Sequence, residues 1–153
     1  MNRFLERGGL WVVGQFVLMI GIAVGAVAFR HDWDHAWSIV GGNVLMLVGV
    51  AFGIAGLRAL GRNTTPFPRP RENARLVRAG IYGLVRHPLY TSLVLTSFGW
   101  TLHWQSRLAL VLSLTLAALL DAKANREERW LLAKFPAYVA YRQRVRKLIP
   151  WLY

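Results

Sequence analysis

The chain contains no cysteine, which excludes disulfides, thiolate metal sites and a cysteine nucleophile. It is also poor in charge. Only 17% of its residues are charged and 55% are apolar, whereas a soluble domain usually carries about 25% charged residues. Acidic side chains are scarcest, seven against 19 Lys and Arg, for a net charge of +12. No strand–GxGxxG–helix unit is present, so a soluble nucleotide-binding fold is not indicated. With 153 residues the chain has room for one domain.

What is present is a series of long apolar runs. Residues 10–29 carry no charge, and neither do residues 36–57. Each is about as long as the roughly 20 residues that a bilayer-spanning helix needs. Residues 89–104 and 108–120 form shorter runs, separated only by Gln105, Ser106 and Arg107. So tight a connection predicts an antiparallel helical hairpin. Trp100 and Trp104 would sit near its tip, at the depth of an aromatic belt. Its second helix can continue beyond the bilayer through Asp121 and Lys123.

The expected fold is therefore an all-α integral membrane protein in one membrane domain. About four transmembrane helices are predicted, at about 10–29, 36–58, 88–104 and 107–125. The first run lacks a small-residue cleavage site and reads as a retained helix, not a signal peptide. Gly21 with Gly25, and Gly49 with Gly53, form small-xxx-small pairs that let helices approach closely in lipid.

The basic residues could suggest nucleic acid, but their placement argues otherwise. All but Arg30 and Arg107 fall in three blocks: the N-terminus, 58–86 and 123–147. Basic residues gathered in alternate connections mark membrane orientation. Both termini and the 61–86 loop are expected in the cytoplasm, with the chain integral to the cytoplasmic (inner) membrane and no nucleic-acid partner. Pro66, Pro68 and Pro70 prevent a regular helix in that loop. Asn63-Thr64-Thr65 formally matches a glycosylation acceptor, which would have no effect on that side. In the tail, Tyr138, Tyr141, Val145 and Leu148 recur at helical spacing, with Arg142, Arg144, Arg146 and Lys147 on the other faces. This predicts a basic amphipathic helix, begun by Pro136 and ended by Pro150, suited to an anionic leaflet.

Two polar clusters flank the hairpin on its cytoplasmic side. One runs from Gly80 through Tyr82, Arg86 and His87 to Tyr90; the other is Arg126-Glu127-Glu128. The hairpin brings these ends together, so His87 and Glu128 should be neighbours. At 100° per residue, Ala117, Asp121, Ala124, Leu131 and Phe135 share one stripe, with Glu128 at its centre and Glu127 on its flank. A carboxylate within an apolar stripe is costly unless paired or used. A structural ion pair with Arg86 would explain Glu128 equally. His87 could be only a satisfied polar group at a helix start, and Tyr82 and Tyr90 could be interface anchors. If the helix runs unbroken, Glu128 should point at the His87 region and matter more to a bound ligand than Glu127.

At these residues the chain resembles the isoprenylcysteine carboxyl methyltransferase and phospholipid methyltransferase family of membrane enzymes. The matching parts are Leu60-Gly61-Arg62-Asn63 with Thr65-Pro66, then GIYGLVRHPLY from Gly80 to Tyr90, then Glu127-Glu128. Leu131, Phe135, Tyr138, Tyr141, Val145 and Pro150 continue the pattern, so that it covers roughly residues 60–150. The chain departs from it at Ser92, where Gly is usual, and at Phe135-Pro136, where Phe-Gly is usual.

The resemblance implies a pocket for S-adenosylmethionine formed by about 80–141. Tyr82, Arg86, His87, Leu89, Tyr90, Glu127 and Glu128 would be its binding residues. The glutamates suit a ribose diol and an ammonium, Arg86 or His87 a carboxylate, and Leu89 with Tyr90 an adenine. The basic residue about one turn before the glutamates that assists catalysis would be Lys123 or Arg126, acting with Glu128. No metal site is expected. The acceptor would be lipophilic or small, since a gap between helices opens to lipid. Membrane sterol reductases, which bind NADPH, share a His-x-x-Tyr-like element and a C-terminal pattern that Leu148-Ile149-Pro150 would suit. A helical scaffold without activity is the third reading.

Overall fold

In lipid a backbone must satisfy its own hydrogen bonds, so apolar runs become helices. The computed structural model describes residues 3–69 and 73–153; Pro70, expected to help break the 61–86 loop, lies outside the described residues. The helices are α1 (Arg3–Glu6), α2 (Gly9–Ala28), α3 (Ala36–Leu60), α4 (Pro88–Trp104), α5 (Arg107–Lys134) and α6 (Tyr138–Arg144). Single 3-10 turns occupy Gly61–Asn63 and Gly80–Gly83. No strand occurs among the described residues; Val85 and Arg146 form an isolated parallel bridge.

The protein is an all-α membrane protein. Helices α2, α3 and α5 are long and apolar enough to cross a bilayer. Helix α4, with 17 residues, stands at the short end of the spanning range. Its length is set at both ends. Pro88 occupies the first turn, where a missing N–H costs nothing, and Gln105 closes the other end in a left-handed conformation, φ 55°. Ser106 then caps α5 by accepting from the Ala109 N–H at 3.3 Å, and the hairpin follows.

The helices pack through small residues. Ser38, Gly42, Gly49 and Gly56 are the buried residues of α3, and the three glycines recur every seventh position on one stripe. That stripe carries α4. A Cβ at Gly42 would lie 2.6 Å from the Gly99 carbonyl oxygen and 2.7 Å from the His103 nitrogen. Gly21 and Gly25 face Leu112 and Leu108 of α5 more loosely. Ile22 and Ala26 of α2 with Ala109, Leu116 and Leu120 of α5 form the buried apolar core. Elsewhere α2 and α3 expose Phe16, Val17, Ile20, Val24, Val40, Val44, Leu47 and Ile54, as lipid-facing surfaces do.

The hairpin tip is tied to the 29–35 connection. Gln105 donates to the His35 carbonyl and to Ser38 Oγ, each at 3.0 Å, and Asp32 Oδ2 accepts from the Arg107 N–H at 2.6 Å. At the opposite end α5 keeps going. Its 28 residues extend about 42 Å, beyond a hydrocarbon core of about 30 Å. Its last turns, with Glu127 and Glu128, therefore project past the membrane.

The tail's helix is shorter than its periodicity suggests. It ends at Arg144, and Val145 is extended. The reason is a competing partner: the Arg86 and His87 N–H groups donate to the Arg146 and Lys147 carbonyls at 2.8 and 3.1 Å. Thr91 Oγ1 adds a bond to the Leu148 carbonyl at 2.7 Å. Tyr138, Tyr141, Lys147 and Leu148 are buried against the helix ends, so the tail packs on the protein over these residues.

Candidate active site

The first residues before α4 leave it no room to vary. Pro88 forces the preceding residue out of helical geometry, and His87 accordingly has φ −127° and ψ 63°. The chain from Gly80 to His87 is thus held as a turn against the tail, and its side chains point towards the projecting end of α5. His87 Nε2 lies 3.1 Å from Glu128 Oε1, and Arg86 Nε donates to the same oxygen at 2.8 Å. An ionised carboxylate only accepts, so His87 donates through Nε2. Arg142 Nε stands 3.1 Å from Glu128 Oε2. Arg86 also donates through Nη1 to the Arg142 carbonyl at 3.1 Å and to the Val145 carbonyl.

Glu128 is only 3% exposed at its side chain. Burial would raise its carboxyl, but the hydrogen bonds from His87 and Arg86, and then their charges, outweigh it and hold the carboxyl down at about 2. Glu128 is thereby fully committed to protein partners. Glu127, one position earlier on α5, is freer. Its Oε2 accepts from the Tyr90 hydroxyl at 2.7 Å and lies 3.9 Å from His87 Nδ1. The His87 and Tyr90 rings stack at 5.3 Å with an interplanar angle of 7°.

Beside these groups lies a cleft enclosing about 790 Å³, its mouth included. Its apolar wall comes from Leu60, Leu89, Leu131 and Phe135, and its polar wall from Arg75, Tyr82, Arg86, His87, Tyr90 and Glu127. The side chain of Tyr138 is buried and lines the cleft, yet its hydroxyl has no hydrogen-bond partner among the described residues. Burial, then the Glu128 charge, push that phenol well up. Tyr82 is pushed up in the same direction by burial and then by Glu127. Both remain neutral donors at any ordinary pH.

Six of the residues singled out from the sequence meet at this cleft: Tyr82, Arg86, His87, Leu89, Tyr90 and Glu127. Glu128 does face His87, and α5 is unbroken, but the cleft opens on the Glu127 side. Glu128 lines a second cavity behind it. The stripe centre correctly located the buried face of α5; what fills that face is Arg86 and the tail. Lys123 is 1% exposed and donates to Gln15 Oε1 at 2.6 Å, 5.2 Å from the centre of the Tyr90 ring. It stands one layer deeper than the cleft's lining. Arg126 is exposed, with its guanidinium over the Trp130 ring, and the structure does not bring it to the cleft.

Three polar lining residues were given no role of their own by the sequence. Arg75 presents the cleft's one cation without a side-chain partner among the described residues; nothing in the sequence separates it from Arg69 or Arg78. Asn63 closes the loop beneath it, donating to the Arg75 carbonyl at 3.1 Å and accepting from its N–H at 3.3 Å. Tyr138 was legible only as part of a helical spacing and of the family pattern, not as a lining residue.

The cleft thus lies on the projecting end of a membrane helix, walled by the RHPLY segment and Glu127. Residues 37–137 match the phospholipid methyltransferase family, and the chain belongs to it. Its relatives include the cobalt-zinc-cadmium resistance protein CzcN of Cupriavidus metallidurans. The two are 32% identical over 158 aligned residues, which take in 99% of this chain and 68% of the relative.

Proposed function

We propose that the chain is an S-adenosylmethionine-dependent methyltransferase acting on a lipophilic or small acceptor at the cytoplasmic face of the membrane. The observation that carries this reading is the cleft: a carboxylate, together with an arginine and a buried hydroxyl that have no side-chain partner among the described residues, converge beside an apolar wall. Leaving the buried Tyr138 hydroxyl without a partner is costly, and a ligand bearing hydroxyl, ammonium and carboxylate groups would satisfy it while reaching Glu127 and the exposed Arg75 at the mouth. Glu127 accepts from a ribose hydroxyl or an ammonium. Arg75 suits a carboxylate better than Arg86, whose Nε and Nη1 are already engaged. Leu60, Leu89, Leu131 and Phe135 offer an apolar slot for an adenine.

When bound, S-adenosylmethionine supplies an electrophilic methyl group on a sulfonium. The leaving sulfide is neutral, so the chain's task is alignment and exclusion of water. The Arg86–Glu128–His87 cluster fixes the base of α4, His87 fixes the Tyr90 ring by stacking, and Tyr90 fixes Glu127. Lys123, buried one layer deeper, faces the Tyr90 ring and would act on an acceptor only through Tyr90.

Thermal melting of the detergent-purified chain tests the reading. A ligand that binds only the folded state raises the melting temperature by mass action. S-adenosylhomocysteine should raise it and NADPH should not. A shift with NADPH alone would point to a reductase, and no shift with either to a non-enzymatic scaffold. Radiolabelled methyl transfer into a total lipid extract and a panel of small acceptors then identifies the acceptor.

A further inference from the structure

Behind the Arg86–Glu128 pair lies the second cavity, lined by Arg86, Asn125, Glu128, Arg142, Arg146, Lys147, Leu152 and Tyr153. Arg86 lines both cavities, so this ion pair is the wall between them. The second cavity is separate from the cleft described above, and its chemistry is different.

Its acceptors are used up. Glu128 carries Arg86 and His87 on one oxygen and Arg142 on the other. The neighbouring Asp121 takes Lys147 and Tyr153 on Oδ1, and Asn125 on Oδ2. What the cavity has left over is donors. Arg142 engages Glu128 through Nε alone and is half exposed, which leaves the outer fork of its guanidinium free. The Arg146 guanidinium has no partner among the described residues, although its backbone is fixed by the Arg86 N–H. Two free planar forks beside spent carboxylates are a setting for an anion with several oxygens.

The surroundings say where that anion comes from. The chain that closes the cavity ends in large apolar side chains left in the open: Ile149 is 49% exposed, Trp151 83% and Leu152 76%. A basic site bordered by unburied Trp, Leu and Ile has the composition of a surface lying at the headgroup–acyl boundary. We propose that this cavity binds the phosphate of an anionic phospholipid from the surrounding leaflet. Arg142 and Arg146 hold the phosphate, and Ile149, Trp151 and Leu152 rest against the chains. Because the wall of the cavity is the Arg86–Glu128 pair, an occupied site braces the base of α4 from behind.

The test uses the full-length chain in detergent and follows its melting temperature with added short-chain phosphatidylglycerol, short-chain phosphatidylcholine or inorganic phosphate. Phosphatidylglycerol should raise the melting temperature and the other two should not. R146Q should weaken the phosphatidylglycerol effect about tenfold in half-saturating concentration, as loss of a charged hydrogen bond does. R144Q removes the same charge from an exposed neighbour outside the cavity and should leave it unchanged. Should R146Q fail to stay monodisperse, R146K, which keeps the charge and loses the fork, should still bind more weakly than R144Q. Equal shifts with the two lipids, equal losses in R146Q and R144Q, or a full shift with inorganic phosphate alone would each overturn the proposal.

Discussion

The two adjacent glutamates show how one residue step divides labour on a helix. Glu127 and Glu128 are about 100° apart around α5. One meets the cleft and the other meets Arg86, Arg142 and the His87 ring. Glu127→Gln should therefore lose S-adenosylhomocysteine affinity about tenfold or more while melting little differently in the absence of ligand. Glu128→Gln should show the reverse emphasis, melting lower because Arg86 and Arg142 keep their charge without a partner; breaking such a buried pair costs about 3–5 kcal/mol. Matched titrations and melts of the two variants decide it, and a larger affinity loss in Glu128→Gln than in Glu127→Gln would mean that the ligand lies in the second cavity. The same residue sets a pH dependence. Its carboxyl is held down from the usual 4.5 to about 2 in the folded protein, against the effect of burial, by the hydrogen bonds and charges of His87 and Arg86. The stabilisation is complete above about pH 4.5 and is lost as pH falls from there towards 2, since the unfolded chain takes up a proton that the folded chain refuses. Melting temperature against pH should fall through that window in the native chain and fall less in Glu128→Gln.

At the scale of elements, the sequence was most legible where physics is one-dimensional. Runs 10–29 and 36–58 became Gly9–Ala28 and Ala36–Leu60 because an uncharged run of that length has little alternative in lipid. The tail was less legible, since its helical spacing competes with a backbone pairing to residues far away in the chain, and only the fold brings Arg86 to Arg146. Partners of the glycines were illegible for the same reason. Once the helices are placed, the departure at Ser92 makes sense. Its hydroxyl sits 2.7 Å from where a Cβ on Gly53 would be, so the side chain gained on α4 is received by a glycine on α3. Gly42 and Gly41 give a matched test of that packing. A Cβ at Gly42 would strike α4 backbone, whereas one at Gly41 would meet nothing within 4 Å. Gly42→Ala should destabilise by about 1–3 kcal/mol, as overpacking does, and Gly41→Ala should be neutral or gain slightly from helix propensity. Equal melting temperatures for the two would show that α3 and α4 do not meet along this stripe.

Across the whole molecule, the chemistry is sorted to one end. The cleft, the second cavity, the projecting turns of α5 and the packed tail lie together, with Arg75, Arg86, Arg142, Arg146 and Lys147 around them. The other end carries the 29–35 connection, where Asp32 and Asp34 accompany Arg30, and the hairpin tip with Trp100, Trp104 and Arg107. Basic residues are retained on the cytoplasmic side during insertion, and a charged, water-soluble methyl donor is available only to a cleft on that side. The distribution of basic residues and the proposed reaction thus predict the same orientation. The absence of native cysteine makes it directly measurable, because any introduced thiol is unique. Glu6, Arg78 and Arg144 are exposed at the cleft end of the chain's connections and Asp34 is exposed at the other. Single cysteines at the first three should resist an impermeant thiol reagent in intact cells and react after the membrane is opened, while a cysteine at Asp34 should react in intact cells. The reverse pattern would place the cleft outside and remove S-adenosylmethionine as its ligand, whatever the family resemblance of its walls. A mixed pattern, with Arg78 protected and Arg144 labelled, would put the tail and the 61–86 loop on opposite sides, which the bonds from Arg86 and His87 to Arg146 and Lys147 forbid in this fold.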